Sequence, residues 1–132
     1  MIGIDTNVLV RYIVQDDELQ AAIATESIEA CSIGTPGWIS AIVLCETVWV
    51  LSRAYGYEKT TIQSVLQRIF LASELIVEQQ EQGWAALRDF ASGDADFSDY
   101  LIAHMNQASG CEYTITFDKK ASNHRLFRLL KP

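Results

Sequence analysis

The chain has 132 residues, of which 49% are hydrophobic and 20% charged, a composition typical of one globular domain and not of a disordered chain. A net charge of −7 argues against nucleic-acid binding by general electrostatic attraction. The longest apolar run, 39–51, is interrupted by polar residues, and the N-terminus lacks a signal-peptide pattern, so we expect a cytoplasmic domain spanning 1–132 with no membrane association.

Short apolar runs predict strands, and apolar residues at helical spacing predict helices. In chain order the predicted elements are a buried strand (1–4), a helix to 14, a helix (18–31), a strand (38–39), a helix (41–54), a helix opening at 59 or 60, a strand (75–77), a helix (80–91), a helix (97–108), a strand (112–117) and a possible last strand (126–130). In the second helix, the apolar face is expected to carry Leu19, Ala22, Ile23 and Ala30.

Strands that alternate with helices predict an α/β fold: a central, mostly parallel sheet of four to five strands flanked by helices in an α/β/α sandwich. In such sheets, ligands bind at the carboxyl ends of the strands. Asp5 and Asp118 each follow a predicted strand, so this fold is expected to place both at the same edge. Alone, each acid is also a common helix cap or turn residue.

Glu46 is the most informative single acid, because it lies within the apolar helix 41–54. A helix that is apolar nearly all round is expected to be buried, and a lone buried carboxylate costs several kcal/mol unless it is paired or binds a metal. The nearest following cation, Arg53, is seven positions away. The alternative is that Glu46 lies on one exposed stripe of the helix.

Asp96 and Asp99 are three positions apart at a helix N-terminus and therefore share a face. The helix dipole alone would favour acids there. A group of four or five acids, however, tolerates mutual repulsion only if a cation neutralises it. Mg²⁺, with Mn²⁺ as a substitute, prefers such oxygen ligands and can activate water toward a phosphodiester.

Several other signatures bear on this interpretation. The chain has no glycine-rich phosphate loop, dinucleotide fingerprint or nucleophile elbow. His104 and His124 appear as isolated residues, so zinc is not expected. Cys31, Cys45 and Cys111 are interpreted as small buried side chains in a reducing cytosol.

The charge distribution leaves two interpretations of the C-terminus open. All 17 acids lie at or before Asp118, and five of the ten basic residues follow it. This segment is either a solvated basic face or a surface that contacts RNA, with Lys119, Lys120 and Arg125 as the candidate contacts.

Four motifs in order resemble those of PIN-domain ribonucleases, in particular VapC-type toxins of toxin–antitoxin pairs, over essentially the whole chain. They are Ile4-Asp5-Thr6-Asn7-Val8-Leu9, the helical Glu46 within 42–51, Asp96-Phe97-Ser98-Asp99-Tyr100-Leu101-Ile102-Ala103, and 114–119. Tyr100 and His104 stand where the family often has small residues, which affects the contour of the cleft.

The resemblance implies that Asp5, Glu46, Asp99 and Asp118 are the catalytic, metal-binding acids. It implies a supporting acid, Asp96, and polar neighbours that orient the acids, namely Thr6, Asn7 and Thr116. It further implies Mg²⁺-dependent endonucleolytic cleavage of RNA by activated water, a small antitoxin that occludes the site, and a toxin homodimer.

Three alternatives remain open at this stage. A housekeeping RNA-processing nuclease would share the fold. A phospho-acceptor domain would need an acceptor Asp after the third strand, where Glu78-Gln79 stands. A non-catalytic binding module would have lost the motif acids, all of which are present here.

Overall fold

A computed structural model of the chain describes every residue from Met1 to Pro132 and contains five short strands, six α-helices and one 3₁₀ turn. In chain order these are β1 (Ile2–Gly3), α1 (Thr6–Val14), α2 (Glu18–Glu29), β2 (Gly37–Ile39), α3 (Ala41–Arg53), α4 (Lys59–Leu71), β3 (Leu75–Val77), α5 (Gln80–Ser92), α6 (Phe97–Ala108), β4 (Thr114–Thr116), the 3₁₀ turn (Ala121–Asn123) and β5 (Phe127–Leu129). The predicted α/β class is confirmed, and each predicted element is present with ends shifted by a few residues.

All strand pairs are parallel, as predicted, but the strands form two ladders instead of one sheet of four to five strands. The first ladder has the order β1-β2-β3, and the second pairs β4 with β5. The sequence located the strands but not their partners, because strands of two or three residues carry no alternation that selects a neighbour. None of the helices combines the length and apolar character required to cross a bilayer.

The chain divides into two units, 1–78 and 79–132. In the first, α1 packs on α2 and α3, and α4 packs on α3 and β3. Its best-buried side chains, all at most 2% exposed, are Leu9, Ile39, Leu44, Leu51, Ile62 and Leu66. Gly37, the first residue of the central strand, leaves little room for a side chain: a Cβ there would lie 2.7 Å from Ile4 Cδ1 and 3.0 Å from Leu75 Cδ2, so these side chains would have to shift.

Two expectations about burial in the first unit are wrong. In α2 the buried residues are Ala21, Ala24 and Ile28, whereas Leu19 and Ile23 are 73% and 57% exposed. β1 is also exposed, although Ile4 directly after it is buried. Apolar spacing shows which residues can be buried, but the neighbouring elements decide which of them are.

In the second unit α5 packs against α6, and β5 contacts the 3₁₀ turn. Phe90 and Phe97 meet edge to face at 6.0 Å between ring centroids. The buried Tyr100 accepts the amide N–H of Ala95 at its hydroxyl, 3.2 Å away, so the phenol is hydrogen-bonded within the core.

The three cysteines are free thiols, but they do not all behave as small buried side chains. Cys31 is buried, Cys45 is half-buried and Cys111 is exposed. Burial raises the pKa of the Cys45 thiol to about 11.

Candidate active site

Asp5 stands between β1 and α1 and is itself the N-cap of that helix. Its Oδ1 accepts the amide N–H of Thr6 at 2.8 Å. The capping role that Asp5 could have by residue type is therefore observed. Because a carboxylate has two oxygens, capping through Oδ1 leaves Oδ2 available as a ligand.

Glu46 is exposed, so the expectation that it is buried in an apolar helix is wrong. Helix α3 buries Ala41, Leu44, Thr47, Val48 and Leu51. Its other side exposes Ile42 (72%) and Trp49 (61%) together with Glu46. The carboxylate therefore lies on the exposed stripe that was the alternative interpretation, and the desolvation argument for a bound metal does not apply to it.

Glu46 is nevertheless held beside the start of α1. Its Oε1 accepts the hydroxyl proton of Thr6 at 2.7 Å, across 40 positions of sequence. Asp5, Thr6, Asn7 and Glu46 line one cavity of about 570 Å³ in the first unit. The structure thus brings together the predicted residues of the first two motifs.

Arg11 lines the same cavity but makes its hydrogen bonds to residues other than Asp5 and Glu46. Its guanidinium contacts Gln20 (2.7 Å), Asp16 (3.1 Å) and Tyr55 (3.0 Å). Asp5 and Glu46 therefore have no cation of their own bonded to them.

In the second unit Asp96 caps α6, and Asp99 lies in its first turn. Oδ2 of Asp99 accepts the amide N–H of Asp96 at 3.2 Å. Partial burial raises the pKa of Asp99; the Asp96 amide opposes this, and the charges of Asp118 and Asp96 raise it further. The net shift of this pKa is upward, mainly through burial, and the contributions of Asp118 and Asp96 indicate that both charges act on Asp99.

Asp118 follows β4, and its carboxylate is anchored by backbone amides. Its Oδ1 accepts the N–H groups of Lys120 (2.8 Å) and Ala121 (3.1 Å). The hydroxyl of Thr116, predicted to orient an acid, accepts the amide N–H of Asp118 at 3.0 Å. Three basic side chains around the 3₁₀ turn are exposed, namely Lys119, Lys120 and Arg125.

The donor sets fit a hard divalent cation. In both units the candidate ligands are carboxylate oxygens, the type that Mg²⁺ and Mn²⁺ prefer. Each of Asp5, Asp99 and Asp118 uses one oxygen for a backbone amide, which fixes the orientation of the other. In the folded protein these acids are exposed or half-buried.

His104 and His124 are not isolated, and this cluster was missed from the sequence. Both Nε2 atoms contact Oδ2 of Asp89, at 2.5 and 2.8 Å, and the two rings meet at 5.7 Å. The three residues are 15 to 35 positions apart and follow no motif. Only the packing of α5 against α6 and the position of the 3₁₀ turn could reveal them.

Asp89, His104 and His124 could hold a metal by residue type, since their ligand atoms lie within 4.8 Å of one another. The hydrogen bonds of His124, however, disfavour metal binding by this cluster. Nδ1 of His124 accepts the Leu126 amide N–H at 3.1 Å, which places the ring proton on Nε2, facing Asp89. A metal at Nε2 would move that proton to Nδ1, against the Leu126 amide.

The charge state of Asp89 agrees with a hydrogen-bonded cluster. Burial would raise the pKa of Asp89, but the hydrogen bonds from His104 and His124 outweigh it and hold the pKa below its ordinary value. The carboxylate is therefore satisfied within the protein.

A family model described as PIN domain matches residues 2–125. No curated protein and no solved structure gives a significant match. PIN domains are generally metal-dependent nucleases that act on RNA or DNA. This match covers nearly the whole chain, and the chain therefore belongs to the PIN domain family.

Proposed function

We propose that residues 1–132 form one PIN domain that acts as a Mg²⁺-dependent endoribonuclease, with Mn²⁺ as a substitute, and that it is a VapC-type toxin. The observation that supports this most directly is the hydrogen bond from Thr6 to Glu46. It joins the opening motif to the helical motif, as a shared metal site between them requires.

Asp5, Glu46, Asp99 and Asp118 are the proposed metal ligands. That all four serve one metal centre is inferred from the order of the four motifs in the chain. When bound, Mg²⁺ supplies the positive charge that the acids lack and assists the attack of water on the phosphodiester.

The remaining residues position these acids. Thr6 orients Glu46 through its hydroxyl, and the Asp96 amide orients Asp99. The amides of Lys120 and Ala121 fix Asp118. Such partners of metal ligands typically contribute about 10- to 100-fold in affinity or activity.

Partners follow from the resemblance. RNA is the proposed substrate, with the exposed Lys119, Lys120 and Arg125 contacting its backbone. A small antitoxin that occludes the site, a homodimer and a cytoplasmic location complete the proposal.

The test is cleavage of RNA by the purified chain with Mg²⁺, with EDTA, and as the Glu46→Gln variant. We expect cleavage that EDTA and Glu46→Gln abolish, and growth arrest on expression of the wild type only. Glu29→Gln, which removes an exposed acid at the end of α2, is the matched control. Cleavage that persists in EDTA would refute the proposal, and calorimetry that detects no Mg²⁺ binding would favour a non-catalytic module.

A further inference from the structure

The cavity beside Asp5 and Glu46 continues well past the two acids. Helix α3 contributes Glu46 and Val50, and Ala54 follows at the same spacing of four residues, so the three lie along one face. Eight residues of helix span about 12 Å. The part of the cavity near Ala54 is therefore distinct from the carboxylates and has room for another portion of a substrate.

The walls of this distal part are mainly apolar. Val10 of α1 is buried against it, and Val50 and Ala54 line it from α3. Tyr55 and Arg11 supply the polar groups. The whole cavity, including the part lined by the acids, has a volume of about 570 Å³, which falls within the range of roughly 300–1,000 Å³ for small-molecule sites.

Arg11 is oriented at this cavity by hydrogen bonds. Its Nη1 donates to Asp16 Oδ1 and to the Tyr55 hydroxyl, and its Nε donates to Gln20 Oε1. The Tyr55 hydroxyl in turn donates to Asp16 Oδ2 at 2.9 Å. Only Nη2 has no hydrogen bond within the protein, so its two N–H groups are free to donate to a ligand where Arg11 lines the cavity.

The balance of charge favours an uncharged ligand group over a phosphate. The ion pair with Asp16 offsets the charge of Arg11, and Asp5 and Glu46 make the cavity negative. A second phosphate would be repelled there, whereas a nucleobase could pack on the apolar walls and present acceptor atoms to Nη2.

We propose that the part of this cavity lined by Val10, Arg11, Val50, Ala54 and Tyr55 binds the base of a nucleotide that flanks the scissile phosphate, and so determines which RNA sequence is cleaved. The role in cleavage rests on the proposed nuclease function, whereas binding of a base does not.

In the first test, uncharged nucleosides are added to the full chain, and their binding is monitored by NMR. Adenosine, guanosine, cytidine and uridine are titrated separately. We expect at least one to give saturable shifts confined to the amides of residues 10–11, 50 and 54–55 and to the Arg11 Nε–H. Ala54→Phe, which narrows the cavity at an exposed position, should abolish them. Ala30→Phe is the matched control, since Ala30 is also exposed and follows its helix with right-handed helical backbone.

The second test is cleavage of short RNAs that differ only in the nucleotides next to the cut. We expect the wild type and Ala30→Phe to discriminate by about tenfold or more at one flanking position, and Ala54→Phe to lose that discrimination. Nucleoside binding without any RNA cleavage would support the base site while refuting the nuclease. Cleavage whose discrimination survives Ala54→Phe, with no nucleoside shifts in the wild type, would overturn the base site alone.

Discussion

The second unit contains two carboxylate clusters that differ in whether neighbouring side chains compensate their negative charge. Asp99 lies among other acids, and burial together with the charges of Asp118 and Asp96 raises its pKa. Asp89 receives hydrogen bonds from His104 and His124, which lower its pKa against the effect of burial. One cluster therefore lacks positive charge, and the other is satisfied by its own side chains.

This difference shows that residue types alone do not identify a metal site. Two histidines and an aspartate make the more familiar ligand set for a transition metal. Yet the His124 proton points at Asp89, because Nδ1 already accepts an amide. Asp99 and Asp118 accept hydrogen bonds only from backbone amides and from no histidine or basic side chain, so the divalent ion required by a PIN nuclease is expected at the acids.

The largest expected effect comes from removing an acid of the unneutralised cluster. We expect Asp99→Asn to reduce Mg²⁺-dependent RNA cleavage by more than about a hundredfold, since direct ligands should matter at least as much as their supporting partners. Initial cleavage rates and calorimetric Mg²⁺ affinity measure this. Asp94→Asn, the same change at an exposed neighbouring acid, should leave both unaltered, and equal losses in the two variants would contradict the prediction.

The next effect is on stability and concerns the satisfied cluster. Asp89→Asn should lower the free energy of unfolding by about 1–2 kcal/mol, because two imidazole N–H groups lose a charged acceptor that is partly exposed to solvent. Urea denaturation measures the change. If Asp89→Asn lowers the free energy of unfolding by no more than Asp94→Asn does, the cluster contributes nothing to stability.

The pH dependence of stability should reflect the same cluster. Because the folded state lowers the pKa of Asp89, its stabilising contribution is complete above the unfolded pKa of about 3.9 and is lost as pH falls through the lower folded pKa. The stability difference between wild type and Asp89→Asn should shrink in that acidic range. If the stability difference between wild type and Asp89→Asn stays constant on acidification, the predicted loss of the Asp89 contribution at low pH is contradicted.

A smaller effect of opposite sign is expected at Asp99. Its raised pKa means that ionisation costs free energy in the folded state. Asp99→Asn should therefore stabilise the metal-free protein at neutral pH by about 0.3 kcal/mol, comparable with the relief of other like-charge pairs. Chemical denaturation in EDTA measures this, and destabilisation would show that the hydrogen bond to the Asp96 amide outweighs repulsion.

The smallest expected effect is on metal binding when a histidine of the Asp89 cluster is replaced. Calorimetric titrations with Zn²⁺ and Mn²⁺ should give the same stoichiometry for wild type and His104→Gln, because the proton positions disfavour a metal at Asp89. Loss of one bound Zn²⁺ in His104→Gln would reverse the interpretation of this cluster.

Much of the fold was predictable because strands and helices depend on local patterns. The apolar runs and the helical spacing of apolar residues located the elements within a few residues. Burial was less predictable: Glu46 lies on an exposed stripe, and α2 buries alanines where Leu19 and Ile23 were expected. An apolar residue indicates only that burial is possible, since the packing partner decides the face.

By itself, the amino-acid sequence determined the order of elements, the parallel α/β class and the family, because motif acids at strand and helix ends depend on short-range spacing. Only the tertiary structure decided that Thr6 holds Glu46, that Asp89 binds two histidines, and which nitrogen of His124 carries its proton. Those contacts join residues 15 to 40 positions apart, except for the bond to Leu126. Hydrogen bonding acts over about 3 Å, so its long-range partners are defined by how helices and turns pack.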